Sequence, residues 1–257
     1  MKNSIKNCPD FHLAIISTRR AARVPKIAEV FSGMKATWYV SEGEADEYKK
    51  AGAEKVVECE PNISVARNAA IRDARKEGLV SIQSSDDLRG VNVVSMQSGI
   101  VKSRKTTAEE AVGILLHTQK KTKKVYGGVA VTNNRLNYNG KDLSFGKFVA
   151  CDLILVSQDC PLFDEEMALK EDYDMTLTVG LKHGGTFRCD NVLCDFPHRG
   201  NAGGANTYRT TEVEEAVTQR MFKKWGSLIM PHATRPGQIS LRKTAFEQEM
   251  RIRGVDV

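Results

Sequence analysis

From Phe11 to about residue 90 the chain alternates short apolar runs with amphipathic stretches, and this alternation limits the folds open to it. "FHLAIIST" is apolar until Ser17 and Thr18 and reads as a buried strand. In "RRAARVPKIAEVFSGM", Val24, Ile27, Ala28, Val30 and Phe31 fall at helical spacing before Gly33. "KATWYVSEGEA" is a second strand around Trp38, Tyr39 and Val40, "DEYKKAGA" a helix closed by Gly52, and "EKVVECE" a third strand. "ISVARNAAIRDARKEG" reads as a helix stopped by Gly78, and "LVSIQSS" as a fourth strand that delivers Asp86 and Asp87. This order predicts an α/β fold with a mostly parallel, doubly wound sheet flanked by helices. Ligands of such sheets bind beyond the carboxyl ends of the strands. Thr18, Arg19 and Arg20, the turn around Glu42, and Asp86 with Asp87 are therefore expected to face one crevice.

The rest of the chain is read more coarsely. "TAEEAVGILLHTQKK" is a helix with Ala111, Ile114, Leu115 and Thr118 on one side. "VYGGVAVTNNRLNYNGKDLSF" reads as strand, turn, strand, with Asn139–Gly140 as a hairpin signal. "VACDLILVS" is a strand, a helix starts near Glu171, and "GTFRCDNVLCDFP" is a late strand or hairpin. "HRGNAGGANTYRT" is a loop, "EVEEAVTQRMFKKW" a helix, and the remainder is expected to be irregular. Neither a repeat nor a long linker divides the 257 residues, so one domain is expected, with halves at about 10–90 and 91–257.

Composition narrows the class. Hydrophobic residues make up 41% and charged residues 27%, a balance that supports a real core. No run of about 18 apolar residues suggests a membrane span. The apolar segment near the N-terminus is too short for a signal peptide, so a cytoplasmic protein is expected. The six cysteines form no CxxC pair and read as free thiols in a reducing compartment. Lys and Arg number 38 against 32 Asp and Glu, a net charge of +6. Basic stretches recur in "KSRKTTAEE", "HTQKKTKKVYGG", "RMFKKW" and the C-terminal part. Each could be a solvated face; together they fit a phosphate backbone.

Adjacent carboxylates repel, and Asp86 and Asp87 close a strand where a ligand is expected. Hard oxygen donors of this kind suit Mg²⁺ or Mn²⁺ bridging a diphosphate, which relieves the repulsion. Arg67 lies near a helix start, where a guanidinium and backbone N–H groups can meet phosphate. Glu171 and Asp172 open a later helix. A carboxylate there could act as a general base, or could simply favour the positive end of the helix dipole.

The unit "PNISVARNAAIRDARKEGLVSIQSSDD" resembles the nucleotide-sugar half of GT-A-fold (Rossmann-like) glycosyltransferases, in which an A-R-N helix leads through an apolar strand to a D-x-D motif. Asn62, Ala66, Arg67 and Asn68 carry the match; Asp86 falls on the second acid of D-x-D, and Ser84 stands where the first would be. "KEDYDM" resembles the E-D-x-D segment of inverting members, which implies Asp172 as base, with Glu171 second. With "STRR", "DDL" and "HRGNAGG", nearly the whole chain resembles the TET/JBP-associated glycosyltransferases of phages and of organisms with modified DNA.

That resemblance implies transfer of a sugar, glucose from UDP-glucose as the working expectation, to a hydroxymethylated pyrimidine in DNA. It implies a phage enzyme at work in host cytoplasm. Thr18, Arg19, Arg20, Arg67, Asn68, Asp86 and Asp87 would bind the nucleotide-sugar, with Mn²⁺ or Mg²⁺ held by Asp87 and His198. Two alternatives stay open: a GT-A enzyme acting on a saccharide or protein, and a nucleic-acid-binding module with a dead site. Trp225, among Arg220, Lys223 and Lys224, could stack on a base or belong to the core.

Overall fold

The computed structural model describes residues 10–196, 203–235 and 237–255. Its first half is β1 (Phe11–Ile16), α1 (Val24–Val30), β2 (Ala36–Ser41), α2 (Ala45–Lys50), β3 (Lys55–Cys59), α3 (Ile63–Lys76) and β4 (Val80–Ser85). There follow β5 (Gly90–Gln97), β6 (Ile100–Thr106), α4 (Ala108–Thr122), β7 (Tyr126–Val129), β8 (Leu143–Phe145), β9 (Leu153–Val156) and α5 (Glu171–Lys182). The chain closes with β10 (Phe187–Cys189), β11 (Val192–Asp195), α6 (Thr211–Trp225), β12 (Ile229–Pro231), β13 (Ile239–Leu241) and α7 (Lys243–Ile252).

Eight strands form one mostly parallel sheet in the order β3-β2-β1-β4-β9-β7-β10-β8. The four N-terminal strands run parallel, β9 is antiparallel to both of its neighbours, and β10 is parallel to β7. The side-chain alternation of a strand explains why β1 is apolar at consecutive positions. Leu13 and Ile15 pack on one face with Val24, Ile27, Phe31 and Tyr48, against α1 and α2. Ala14 and Ile16 pack on the other with Ala66 and Ala70 of α3. Helices on both faces leave the strand no solvated side.

Helices α5, α6 and α7 share a second core around Leu177, Met221, Trp225, Phe246 and Met250. A Cβ on Gly180 of α5 would fall 2.3 Å from the Phe246 ring, so glycine lets these two helices approach. Trp225 belongs to this core, its indole N–H donating to Asp174 at 2.7 Å. Cys59, Cys151, Cys160, Cys189 and Cys194 are buried free thiols; Cys8 lies outside the described residues. No helix among the described residues is long and apolar enough to cross a membrane.

Three expectations are corrected. Asn139–Gly140 does not close a hairpin, because β10 lies between β7 and β8 and pairs with both. The segment "GTFRCDNVLCDFP" holds two strands that pair in different sheets, β10 in the main one and β11 with β5. The C-terminal part is ordered rather than irregular. There β12 and β13 pair, and α7 buries Phe246 and Met250, one helical turn apart. The hairpin of β5 and β6 was not anticipated. Strand β6 is exposed at five of its seven residues and shows no clean alternation.

Candidate active site

The carboxyl ends of β1, β2 and β4 open into a cavity of about 230 Å³. Ser17, Thr18, Arg20, Ser41, Asp86 and Asp87 contribute to its wall, and Asp152, just before β9, joins them. Asn62, Ile63 and Ala66 come from the start of α3, while Gly203 to Asn206, Tyr208 and Arg209 close the other side. The expected crevice therefore exists, although Glu42 and Arg19 do not line it. Arg19 has a left-handed backbone, φ 54°, and its N–H donates to Glu44 Oε2 at 2.8 Å. That turn exposes its own side chain, whereas its neighbours Thr18 and Arg20 reach the cavity.

Arg20 and Asp86 make the central pair. Arg20 Nη1 donates to Asp86 Oδ1 at 2.7 Å and stands 3.6 Å from Asp87 Oδ2. Asp86 Oδ2 accepts from Ser17 Oγ at 2.5 Å, and Ser17 Oγ is 2.5 Å from the Tyr48 hydroxyl, which in turn accepts from the Arg20 N–H at 3.1 Å. Burial raises the pKa of Asp86 and outweighs the opposing pull of Ser17 and Arg20; the Asp87 charge adds to the rise. Burial also pushes the Tyr48 hydroxyl up to about 12, so it acts here as a neutral hydrogen-bonding group.

Gly203 presses on this pair from above. Arg20 Nη2 donates to its carbonyl at 3.2 Å, and the next N–H, of Gly204, donates to Thr18 O at 2.9 Å. A Cβ at Gly203 would sit 2.8 Å from Arg20 Cγ and 2.9 Å from Thr18 O, and φ there is +80°. Only glycine allows this approach. The loop thus fixes the guanidinium toward the acids.

Arg67 and Asn68 sit elsewhere. Arg67 is 2% exposed and lines no part of the cavity. Its guanidinium donates to Glu171 Oε1 at 3.3 Å, Gln83 Oε1 at 3.3 Å and Cys151 O at 3.0 Å. Asn68 donates to Phe163 O and to Glu165 Oε1, both at 2.9 Å, and accepts from Phe163 N at 2.8 Å. The A-R-N segment therefore ties α3 to β4, to the residues before β9, and to α5. Among its residues Ala66 alone lines the cavity; Asn62, four residues earlier, both caps α3 through Ser64 N and faces the cavity.

Glu171 and Asp172 begin α5. Glu171 is buried against Arg67. Asp172 is half-buried, and its Oδ1 accepts from its neighbour's N–H, on Tyr173, at 2.8 Å. Its pKa is raised, chiefly by burial, then by the Glu171 and Asp152 carboxylates, against the pull of the Tyr173 N–H. Asp152 lines the cavity whereas Glu171 and Asp172 do not, so the smaller of the two carboxylate contributions to the Asp172 shift comes from the cavity wall. Ser17, Tyr48, Asp152 and Tyr208 were not anticipated as site residues. Asp152 had a readable signal, an acid placed directly before the apolar run "LILV".

His198 lies outside the described residues. Among the described residues no group of three or more His, Cys, Asp or Glu side chains could by itself hold a metal ion. Mg²⁺ and Mn²⁺ sites that carry substrate phosphates need only one or two carboxylates, the rest being water and phosphate oxygens. Asp87 and Asp152 on the cavity wall fit that lesser demand.

No family model matches the chain, and no curated protein matches it. Among solved structures, a pyridoxal 5'-phosphate-dependent aspartate racemase matches at 15% identity over 52% of this chain, with a TM-score of 0.24. The match spans 37% of that racemase chain, and a likeness this slight carries no argument about fold or function.

Proposed function

We propose that the chain is a nucleotide-sugar-dependent glycosyltransferase of the GT-A type. It transfers a sugar, glucose from UDP-glucose being the first donor to test, to the hydroxymethyl group of a modified pyrimidine in DNA. The supporting observation is the convergence of Arg20, Asp86, Asp87 and Asp152 around one cavity at the ends of parallel strands, with Asp172 opening α5 outside its lining. The two carboxylates orient the guanidinium at the place proposed for the diphosphate, and a divalent cation held by acids on the same wall would offset their charge.

In this reading the acceptor oxygen attacks C1 of the sugar while its proton passes to Asp172. The bond from C1 to the diphosphate breaks, and UDP leaves with the electron pair. A carboxylate of raised pKa is suited to this step, because a general base works best near the operating pH. Arg20 stabilises the charge that develops on the leaving diphosphate. Asp87 and Asp152 would hold a divalent cation, which when bound adds Lewis-acid stabilisation of the same charge. A single displacement inverts the anomeric centre. Arg67 serves as a support that fixes α5, and with it Asp172, relative to the donor cavity, and Asn68 anchors the segment that leads into that helix.

The test is mass spectrometry of nucleosides from hydroxymethylated DNA incubated with the protein and a panel of nucleotide-sugars. The expected product is a hexosyl adduct on the hydroxymethyl nucleoside, formed with a UDP-sugar. Sugar transfer to a saccharide or protein with untouched DNA would overturn the acceptor, and absence of nucleotide-sugar binding would overturn the class.

A further inference from the structure

A second cavity, of about 380 Å³, shares no lining residue with the first. It reaches the first turn of α5 through Tyr173, the residue after Asp172. Four cationic side chains line it, Lys147, Arg188, Arg235 and Lys243, against a single carboxylate among its described residues, Glu247. Two of the four are engaged within the protein. Lys147 pairs with Glu247, and Arg188 donates to Asp190 at 2.5 Å and to the Phe148 carbonyl at 3.0 Å. Arg235 and Lys243 are exposed and form no ion pair among the described residues. The wall also holds a tilted aromatic pair: the rings of Phe148 and Tyr173 lie 4.4 Å apart at 33°, and both are half-buried.

Like charges gathered in a concave site focus a positive potential that an anion relieves. Aromatic rings beside such charges offer a face to a planar base, and every base can stack whatever its sequence. A phosphate beside a base is the repeating unit of a nucleic acid and also a free nucleotide. We infer that this cavity takes one phosphate-linked base of a nucleic-acid strand and so seats the acceptor beside Asp172. The term acceptor rests on the transferase reading; the binding itself does not. A base drawn out of a duplex would fit this arrangement, since chemistry on a base requires it to leave the stack.

The experiment uses the full chain, a fluorescein-labelled single-stranded oligonucleotide, and fluorescence anisotropy over a salt series. The variant Arg235→Ala with Lys243→Ala removes two exposed cations. A control, Lys120→Ala with Lys121→Ala, removes two exposed cations that line neither cavity. The cavity variant is expected to bind roughly tenfold more weakly at low salt, with a log–log salt slope shallower by about 1.4, two phosphates at about 0.7 each. The control is expected to change both much less, and UDP binding is expected to persist in both variants. Equal losses in the cavity variant and the control would overturn the site in favour of diffuse charge. Complete displacement of the oligonucleotide by UMP, with the same loss of UMP affinity in the cavity variant, would assign the cavity to a free nucleotide and overturn the strand. If the wild-type protein binds the oligonucleotide in this way but fails to bind UDP, the transferase reading falls and this inference stands.

Discussion

The guanidinium of Arg20 meets the carboxylate of Asp86 at 2.7 Å, and both side chains come from the ends of adjacent parallel strands. Strand pairing sets Ser17 beside Asp86, and the turn after β1 brings Arg20 back to the same carboxylate. Ile16 is in register with Ser85, so the residues that follow each strand emerge side by side. The pair fixes the guanidinium on the wall of the cavity, and with Asp87 3.6 Å away the cluster has one cation to two carboxylates, so a divalent cation would be needed beside a diphosphate there.

Replacing Arg20 by alanine removes a charge-assisted donor and leaves Asp86 buried without its cation. Hydrogen bonds to charged groups contribute about 1.5–3 kcal/mol, so UDP is expected to bind roughly 10- to 100-fold more weakly. Isothermal titration calorimetry measures this directly. Unchanged UDP affinity in Arg20→Ala would limit the residue to holding Asp86.

Asp87 tests the metal. UDP binding is expected to tighten when Mn²⁺ is added, and Asp87→Ala is expected to abolish that gain while leaving the metal-independent part carried by Arg20. Calorimetry with Mn²⁺ and with chelator separates the two. Equal wild-type affinity in both conditions would remove the cation from the site.

Arg67 is a matter of stability. Lys can replace its charge but not its three-way fork to Glu171, Gln83 and Cys151. Each buried acceptor left unpaired costs about 1–3 kcal/mol, so Arg67→Lys is expected to lower the urea midpoint clearly. Turnover is expected to fall more than UDP affinity, because Glu171 sits beside the proposed base. A variant of wild-type stability with weakened UDP binding would instead place Arg67 on the nucleotide.

The N-terminal half was legible because its strands are buried on both faces, and its helices bury stripes at helical spacing. The second half was less so. Strand β6 reads "IVKSRKT" and is largely exposed, so no apolar pattern marks it. Asn139–Gly140 did mark a turn, with φ +87° at Gly140, but a turn does not say which strand comes next to β7. The insertion of β10 there is a long-range choice. Thr18, Arg20, Asp86 and Asp87 were found because strand ends locate a crevice. Arg67 looked like a phosphate ligand because it is a cation near a helix start. Its helical position gave the better clue: it shares the buried stripe of Ile71 and Ala74, four and seven residues on.

Asp172 decides the chemistry. Its ordinary carboxyl pKa, about 3.9, is raised in the folded protein by burial first, then by Glu171 and Asp152. A folded-state pKa above the unfolded one means that the protonated form is favoured on folding. The resulting stability is complete below the unfolded value and is lost as pH rises through the folded value. Turnover moves the opposite way, since the base must be ionised to accept the proton of the hydroxymethyl group. Asp172→Asn is nearly isosteric and neutral at every pH. It is expected to lower turnover by roughly 10²–10⁴-fold while leaving UDP and DNA binding close to wild type. It is also expected to gain stability relative to wild type as pH rises above about 4, where the aspartate of the unfolded wild-type chain ionises while the folded one still holds its proton. Thermal melts across pH, single-turnover kinetics, and NMR of the product's anomeric centre make the full test. A β-linked product from an α-linked donor is expected. Near-normal turnover in Asp172→Asn, or an α-linked product, would remove Asp172 as the base; a collapse in Glu171→Gln alone would move the role one residue back.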